Sequence, residues 1–402
     1  MGSIGDVSRD DLEFQDLPPF PEDVPRAPLL RVSLQKLLAG DAQEDEKLWR
    51  ACCDLGFFYL DLRGGNIYNN NDNNDNNDNN DNNDTSNHQA LLPIEGDALL
   101  SNAADLFALA EKVFDLPVDE KASYDMMGEN SYFGYKGYGA GVIDQKGTKD
   151  RNEFWNISKD DILGLSERLR HPEILQRDDT RGLIRTYMLR AHALVTLILR
   201  RLNARLGLPE GVLEGLHRLR ARSGDQLRWV KSPPQEQSDR QAAMGEHADF
   251  GSVTILFNRL GGLQVLPPAG NGMKEEWAYV KPLKGHCVVN LGDAMVKFSA
   301  GILRSNLHRV VNPPGAQQNS TRFSLVYFNR PENEVILKVL DGSELIDAKR
   351  KENPSVDDGE PVTAEQWILN RAMGRRAGGD WSKGQGTDQE RIEKRDSGLA
   401  AK

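Results

Sequence analysis

Two side chains that bind metals well lie two residues apart in the stretch Gly245 to Leu256 (GEHADFGSVTIL). If this stretch is extended, His247 and Asp249 point to the same face, because strand side chains alternate between faces. An imidazole and a carboxylate on one face supply two ligands of a metal ion. Taken alone, the pair is better explained as a surface turn, so a metal site needs a third ligand from elsewhere in the chain.

The third ligand has to come from a later strand, and histidine is the residue type to look for. Four of the seven histidines lie in a low-complexity segment or in predicted helices: His88, His171, His192 and His217. The remaining candidates, His286 and His308, each begin a β-rich run, and sequence spacing alone does not separate them. Two histidines with one carboxylate suit ferrous iron and leave three coordination positions open.

Zinc is a weaker alternative for the same residues, because a zinc hydrolase combines three ligands and a water with a nearby acid or base. Glu246 is the adjacent carboxylate. As the strand neighbour of His247, it points to the opposite face. A hydrolytic zinc site therefore lacks a placed base.

A second pair, Arg322 and Ser324, lies two residues apart in the run RFSLVYF. On a strand both side chains point to one face, where a guanidinium and a hydroxyl bind a carboxylate through charge-assisted hydrogen bonds. Phe323 and Leu325 face the other way, into packing. The alternative is that Arg322 is a surface residue of an edge strand.

The elements that must position these residues are short strands. Between about Gln226 and Phe328, β-rich runs alternate with turns rich in Gly, Pro and Asn: QLRWV, SVTILF, GLQVL, WAYVKP, HCVVNLG, LHRVVN and RFSLVYF. Several short strands at this spacing predict a sandwich or a jelly-roll barrel.

Helices are predicted on both sides of this region. One covers DALLSNAADLFALAEKVFDL, and a longer one spans about Thr180 to Leu206. Apolar residues of the longer helix share one face at helical spacing, as in a core helix: Ile184, Tyr187, Met188, Ala191, Val195, Ile198 and Leu202. The Gly- and Tyr-rich stretch Asn130 to Val142 is predicted to be a loop. A last helix begins with the capping box TAEQ at Thr363.

The composition bounds the class of protein. Of 402 residues, 38% are hydrophobic and 28% charged, which is typical of a globular protein. The net charge of −11 argues against nucleic-acid binding, and the chain lacks the run of about 18 apolar residues that predicts a membrane span. Three cysteines cannot form a disulfide framework, and the N-terminal residues lack a signal-peptide pattern. We therefore expect a cytoplasmic protein that is monomeric, because nothing in the sequence calls for a partner chain.

The predicted organisation follows composition. A near-perfect Asn-Asn-Asp repeat has almost no apolar side chains and is predicted to be disordered. In chain order, the parts are an extended lead-in (1–25), a helical and mixed N-terminal region (26–215) with the Asn/Asp-rich insertion (about 66–88), the β core (216–345), a C-terminal helical segment (346–378) and a disordered tail (379–402).

These residues and motifs resemble those of the 2-oxoglutarate- and Fe(II)-dependent dioxygenases of the isopenicillin N synthase-like family. The similarity includes His247-x-Asp249, then Leu291-Gly-Asp followed by SAGILRSNLHRVV, and then Arg322-x-Ser324, in the family's order. The N-terminal half contains further similar stretches: ACCDLGFFYL, VFDLPVDEK, YKGYGA and NEFWNI. The resemblance covers roughly residues 26–376.

The resemblance implies a mostly β core with flanking α-helices, folded as a distorted double-stranded β-helix (jelly roll). It favours His308 over His286 as the last ligand, so that His247, Asp249 and His308 hold Fe(II). It implies no catalytic residue beyond these metal ligands.

The implied cosubstrates are 2-oxoglutarate and O2. Arg322 and Ser324 would bind the far carboxylate of 2-oxoglutarate, which is converted to succinate and CO2 while a small organic molecule is hydroxylated, desaturated or rearranged. The resemblance further implies a substrate from secondary metabolism, and ascorbate is expected to serve as the reductant in vitro.

One position departs from the family's pattern. Members often have a tyrosine just before the proline in the strand preceding His247, and Ser232 stands there in LRWVKSPPQ. The shorter side chain loses a secondary contact with 2-oxoglutarate. It leaves open an Fe(II) oxidase of the same fold that uses no 2-oxoglutarate. A catalytically inactive binding protein is a further alternative, against which the intact ligand set argues.

The walls of the substrate pocket are implied less specifically. Aromatic residues are the candidates: Tyr135, Tyr138, Phe154, Trp155 and Phe328. The alternative for each is a place in the hydrophobic core. The helix from Thr363 to Arg376 is expected to close the mouth of the pocket.

Overall fold

The computed structural model describes residues 12–66, 93–144, 146–236, 242–270, 273–352 and 361–376. The predicted tail and, apart from Asn66, the predicted Asn/Asp-rich insertion lie outside the described residues.

The described residues form strands and helices in alternating groups. The strands are β1 (Leu30–Ser33), β2 (Phe57–Asp61), β3 (Gly134–Lys136), β4 (Glu153–Ser158), β5 (Gln226–Ser232), β6 (Met244–His247), β7 (Val253–Asn258), β8 (Leu263–Val265), β9 (Ala278–Tyr279), β10 (His286–Leu291), β11 (His308–Val310) and β12 (Arg322–Asn329). The α-helices are α1 (Leu34–Leu38), α2 (Ala42–Asp54), α3 (Gly96–Phe114), α4 (Val118–Ala122), α5 (Lys159–Leu163), α6 (Glu173–Gln176), α7 (Asp178–Arg205), α8 (Val212–Gly215), α9 (Asp293–Phe298), α10 (Glu344–Glu352) and α11 (Ala364–Gly374).

The strands form two sheets. The larger has eight strands in the order β1-β2-β10-β7-β12-β5-β4-β3, and the smaller has four in the order β6-β11-β8-β9. Both sheets contribute side chains to the wall of one cavity. The predicted β core with flanking helices is confirmed. Four strands of the larger sheet (β1 to β4) come from the region before residue 216, so this sheet crosses the predicted boundary.

Strand β12 shows how the larger sheet separates cavity from core. It pairs antiparallel with both β5 and β7, so it lies in the interior of the sheet. Val326 and Phe328 face the cavity, whereas Leu325 and Tyr327 are fully buried on the other face, in the main hydrophobic core. Burial of both faces gives β12 a nearly continuous apolar sequence.

Helix α7 packs against the core face of β12 and against α3 and α5. It begins two residues before the predicted start, and all seven residues of its predicted apolar face are buried. It is the one helix among the described residues that is long and apolar enough to cross a membrane, because an 18-residue window within it has a mean hydropathy of 1.2. Because 61% of that window is buried inside the protein, α7 has the character of a core helix.

Two expectations about local structure were wrong. The predicted loop Asn130 to Val142 contains β3, which is a strand because it pairs with β4, and tertiary pairing overrides a weak local preference. The other error concerns His247 and Asp249, which do not lie on one strand. His247 ends β6, and Asp249 lies in the loop before β7, where its carbonyl oxygen accepts a hydrogen bond from the backbone N–H of Asp293.

Candidate metal centre and the cavity around it

The structure brings the three predicted metal ligands together on the cavity wall. His247 and His308 are direct partners in the pairing of β6 with β11, and their ring centroids are 4.2 Å apart. Asp249 reaches the same point from its loop, with Oδ1 3.9 Å from Nε2 of His247 and 3.8 Å from Nε2 of His308. One potential ligand atom of each residue therefore lies within 4.8 Å of the other two.

A backbone carbonyl orients each imidazole. Nδ1 of His247 is 2.8 Å from the carbonyl oxygen of Gly245, and Nδ1 of His308 is 3.1 Å from that of Asn306. Because a carbonyl oxygen only accepts, each Nδ1 carries the proton and donates it. In the neutral form of each ring, the lone pair is therefore on Nε2, where it is available to a metal ion.

The carboxylate of Asp249 is held through one of its two oxygens. Thr254 donates its hydroxyl and Asn290 its side-chain amide to Oδ2, each at 2.6 Å. The other oxygen, Oδ1, is the one nearest the two histidines. Hydrogen bonds of this kind fix the direction of a metal ligand before the metal binds.

The electrostatics of the site favour the metal-binding protonation states of His247 and Asp249. Burial, reinforced by the neighbouring His308, holds the pKa of His247 well below its usual range, which keeps this imidazole neutral. Burial alone raises the pKa of Asp249. The two histidines and the hydrogen bond from Asn290 outweigh burial, so the net pKa of Asp249 is lowered and the carboxylate is ionised.

The donor set fits Fe(II), because two imidazoles and one carboxylate on one face of the metal are the ligands of the facial triad.

The competing histidine lies elsewhere: His286 starts β10, and its Nε2 accepts a hydrogen bond from Nε of Arg31 at 2.6 Å. Glu246 lies off the cavity wall, 3.9 Å from Nη1 of Arg309. Glu246 is therefore not placed as the base that a zinc hydrolase needs.

Arg322 and Ser324 lie on the same cavity wall as the metal ligands. Nη1 of Arg322 donates to the hydroxyl of Ser324 at 2.5 Å, and Nε donates to the carbonyl oxygen of Gly261 at 2.8 Å. Arg322 is only 2% exposed and has no carboxylate partner among the described residues. Burial lowers its pKa to about 10, which still leaves it charged at neutral pH. A buried cation held this way suits a carboxylate ligand such as that of 2-oxoglutarate.

Ser232 is the direct partner of Arg322 in the pairing of β5 with β12. Its hydroxyl is buried and has no hydrogen-bond partner among the described residues, and its side chain does not line the cavity. Ser232, the position expected to depart from the family's pattern, is therefore next to the Arg322–Ser324 pair.

The five aromatic pocket candidates separate into two groups. Phe154 and Phe328 line the cavity. Trp155 faces the opposite side of β4 and stacks on Tyr135, with ring centroids 5.5 Å apart, so both lie in the core. Tyr138 is half exposed and lies off the cavity wall. Alternation along β4 and β3 explains the core positions, because neighbouring strand residues cannot share a face.

The sequence analysis identified no cationic residue of the cavity wall other than Arg322, yet five more line it. Arg228 of β5 lines the cavity between Phe154 and Phe328, with its guanidinium carbon 4.2 Å and 5.0 Å from the two ring centroids. Burial lowers the pKa of Arg228 to about 9. Arg375 and Arg376, at the end of α11, also line the cavity, which agrees with the expected position of this helix at the pocket mouth. The alternation of QLRWV could have placed Arg228 on the face opposite Leu227 and Trp229.

Comparison with known proteins gives the family. A model of the 2OG-Fe(II) oxygenase superfamily matches residues 219–331. The chain is 32% identical over 322 residues to 2-oxoglutarate-dependent dioxygenase frbH of Dothideomycetidae sp. (strain 11243), covering 80% of this chain and 87% of that protein. It is 29% identical over 316 residues to 2-oxoglutarate-dependent dioxygenase gloE of Glarea lozoyensis, covering 78% of this chain and 83% of that protein.

The solved structures agree on the fold. The chain is similar to a full-length Neurospora crassa protein crystallised with alpha-KG, with a TM-score of 0.63 and 20% identity over 86% of this chain and 95% of that chain. At this identity the likeness concerns the fold, and it confirms the predicted jelly roll. Family membership rests on the sequence, through the match to the superfamily model and the identity to frbH over most of both chains. The protein is therefore a member of the 2OG-Fe(II) oxygenase superfamily.

Proposed function

We propose that this 2-oxoglutarate-dependent dioxygenase oxidises a small organic molecule of secondary metabolism. The observation that carries the proposal is that the three metal ligands and the Arg322–Ser324 pair line one cavity. Curated fungal relatives named 2-oxoglutarate-dependent dioxygenases support it. The remaining wall is largely apolar, which suits a small substrate beside the cosubstrate.

Each part of the cavity has a task in this reaction. When bound, Fe(II) supplies the redox chemistry that couples conversion of 2-oxoglutarate and O2 to succinate and CO2 with oxidation of the substrate. His247, Asp249 and His308 bind the metal, and Arg322 with Ser324 anchors the far carboxylate of 2-oxoglutarate. The apolar wall excludes water and orients the substrate, and this orientation decides between hydroxylation, desaturation and ring chemistry.

The test is release of succinate by purified protein supplied with Fe(II), ascorbate, 2-oxoglutarate and a panel of small metabolites. A substrate is recognised by 2-oxoglutarate consumption above the substrate-free rate. We expect His308→Ala to abolish this consumption, because two ligands of three remain. His286→Ala is the matched control, since His286 is buried, starts the strand that precedes β11 in the chain and does not line the cavity.

Two results would argue against the proposal. Full iron binding and turnover by His308→Ala would remove His308 from the metal site. Substrate oxidation at an unchanged rate without 2-oxoglutarate would favour an oxidase of the same fold.

A further inference from the structure

The charges on the cavity wall do not balance. The described cationic side chains that line it are Lys136, Arg228, Arg322, Arg330, Arg375 and Arg376. The described acidic side chains that line it are Asp150 and Asp249, and Asp249 is a metal ligand. Because a buried charge without a counter-ion is costly, such an excess of cations indicates that anionic ligands complete the site.

Three of these six cations already have a task or an ion-pair partner. Lys136 forms an ion pair with Asp150. Arg376 pairs with Asp125, with Nη2 2.8 Å from Oδ1. Arg322 is assigned to 2-oxoglutarate by the proposed function.

Arg330 and Arg375 are held by other contacts with the protein. Arg330 donates to the carbonyl oxygen of Gly224 and to the hydroxyl of Tyr132. Arg375 donates to the carbonyl oxygen of Glu246 at 3.4 Å. In both residues a terminal nitrogen of the guanidinium group donates to the protein, whereas Arg228, within the described part of the chain, donates only through Nε.

Arg228 is positioned by neutral groups that leave its outer edge available. Its Nε donates to Oδ1 of Asn156 at 2.6 Å, and the rings of Phe154 and Phe328 lie against its guanidinium. Among the described residues, no carboxylate contacts Arg228, and neither terminal nitrogen has a hydrogen-bond partner. A guanidinium that stacks on aromatic rings presents two parallel N–H donors at its edge, the arrangement that binds a carboxylate in a bidentate way.

The surroundings of Arg228 describe the rest of the ligand. Two apolar side chains of the cavity wall lie beside Arg228: Val230, two residues further along β5, and Val326, its pairing partner on β12. Met244 and Leu263, from the smaller sheet, line the same cavity. A ligand that fits this wall therefore combines one anionic group with an apolar body.

We propose that the primary substrate carries a carboxylate that binds the terminal nitrogens of Arg228, with an apolar body against the cavity wall. This inference rests on the proposed function, because it concerns the substrate of the same site. Arg228 thus determines specificity, and Asn156 is the residue that positions it.

The test compares matched acids and amides as binding probes. The protein is loaded with Mn(II) and with N-oxalylglycine, an unreactive analogue of 2-oxoglutarate, so that Arg322 is already occupied. Isothermal titration then measures binding of 4-phenylbutyrate, octanoate and 2-naphthylacetate, each beside its neutral amide. For at least one pair, we expect the acid to bind about tenfold more tightly than the amide, as one charge-assisted contact provides.

Substitutions attribute this preference to one residue. Arg228→Gln should bind acid and amide equally, with the affinity for the amide within about twofold of wild type. Arg228→Lys keeps the charge and should retain part of the preference. Arg205→Gln is the matched control, because Arg205 also lies over an aromatic ring, Trp49, but outside the cavity.

The outcomes separate the two proposals. Failure of the wild-type protein to bind N-oxalylglycine in the presence of Mn(II) contradicts the proposed function. If N-oxalylglycine binds, three results overturn the Arg228 assignment alone: no acid binds, acid and amide bind equally in every pair, or the preference persists in Arg228→Gln.

Discussion

Asn290 donates its side-chain amide to Oδ2 of Asp249 at 2.6 Å, and this bond leaves Oδ1 facing the two histidines. Asn290 belongs to β10 in the larger sheet, whereas His247 and His308 belong to paired strands of the smaller sheet. The carboxylate ligand is therefore oriented by a residue of the larger sheet, whereas both histidine ligands belong to the smaller sheet. Asn290 sets the direction of Asp249 without binding the metal itself.

Replacing this asparagine should weaken metal binding without removing a ligand. Asn290→Leu keeps the size of the side chain but removes the hydrogen bond that orients Asp249, and losses of such partners lower metal affinity by about 10- to 100-fold. Titration of Mn(II) against a competing chelator measures the effect. Asn333→Leu, an asparagine that contacts Glu365 outside the cavity, is the control and should bind Mn(II) as wild type does. Equal affinity in the two variants would contradict the role of Asn290.

The loop that carries Asp249 packs so closely on Gly292 that a methyl group has no room there. A Cβ at Gly292 would lie 2.2 Å from the carbonyl oxygen of Gly251 and 2.9 Å from that of Asp249. Gly292→Ala should therefore lower the free energy of unfolding by about 1–3 kcal/mol and weaken Mn(II) binding, because the loop must move.

The control for this change is a glycine with free space around it. Gly182 lies within α7, where a Cβ would meet no heavy atom within 4 Å. Gly182→Ala should raise the free energy of unfolding by about 0.5–1 kcal/mol and leave metal affinity unchanged. Urea denaturation of both variants measures the two shifts, and a Gly292→Ala protein as stable as wild type would show that the loop adapts.

An ion pair fixes α11 over the cavity. Nη1 of Arg371 lies 3.0 Å from Oδ2 of Asp293, and the two side chains are 6% and 0% exposed. Arg371→Met removes the ion-pair partner of a buried carboxylate, so the free energy of unfolding should fall by about 3 kcal/mol. Adding Asp293→Asn should restore part of this loss, because the buried charge is then gone. A loss below about 1 kcal/mol would mean that the pair contributes no more than an exposed one.

Stability should fall in acid because of buried neutral histidines. Burial lowers the pKa of His192 from 6.5 to about 4, although nearby Asp225 acts in the opposite direction. Between these values the unfolded chain binds more protons than the folded protein, so this residue's contribution to stability is lost as pH falls from 6.5 towards 4. At pH 5 the loss from His192 amounts to about 2 kcal/mol.

The measurement compares urea denaturation of metal-free wild type and His192→Gln at pH 7 and pH 5. The variant lacks the titrating group, so its free energy of unfolding should change by about 1–2 kcal/mol less between the two pH values. Using metal-free protein in both cases removes the effect of metal release. If both proteins lose the same stability, His192 is not a source of the acid sensitivity.

Most strands of the β core could be predicted from the sequence, because they are interior strands whose buried positions carry apolar side chains. Arg322 and Ser324 could be assigned to one face for the same reason, since alternation is strict along β12. Alternation failed for His247 and Asp249, because the strand ends at His247 and a backbone hydrogen bond from Asp293, at the start of α9, holds Asp249. Their proximity was predicted, but it is a product of tertiary structure and not of strand alternation.

The cavity wall was predicted less well than the metal ligands. Two of the aromatic residues predicted to line the pocket, Tyr135 and Trp155, lie in the core. Arg228 lines the cavity and was not predicted. A buried arginine that faces a cavity looks like a surface residue in the sequence, because its exposure depends on what covers the strand. The pairing of β5 with β4 and β12, distant in the chain, decides this, and local pattern does not carry that information.

The most direct test of the account is whether Fe(II) and 2-oxoglutarate bind together in this cavity. Under anaerobic conditions, wild-type protein with both should develop the visible charge-transfer absorption of a chelated 2-oxo acid. His308→Ala should not develop it, and Arg322→Gln should require at least about tenfold more 2-oxoglutarate, because the far carboxylate loses a charge-assisted partner. Absence of this absorption in wild-type protein at saturating Fe(II) and 2-oxoglutarate would contradict the account.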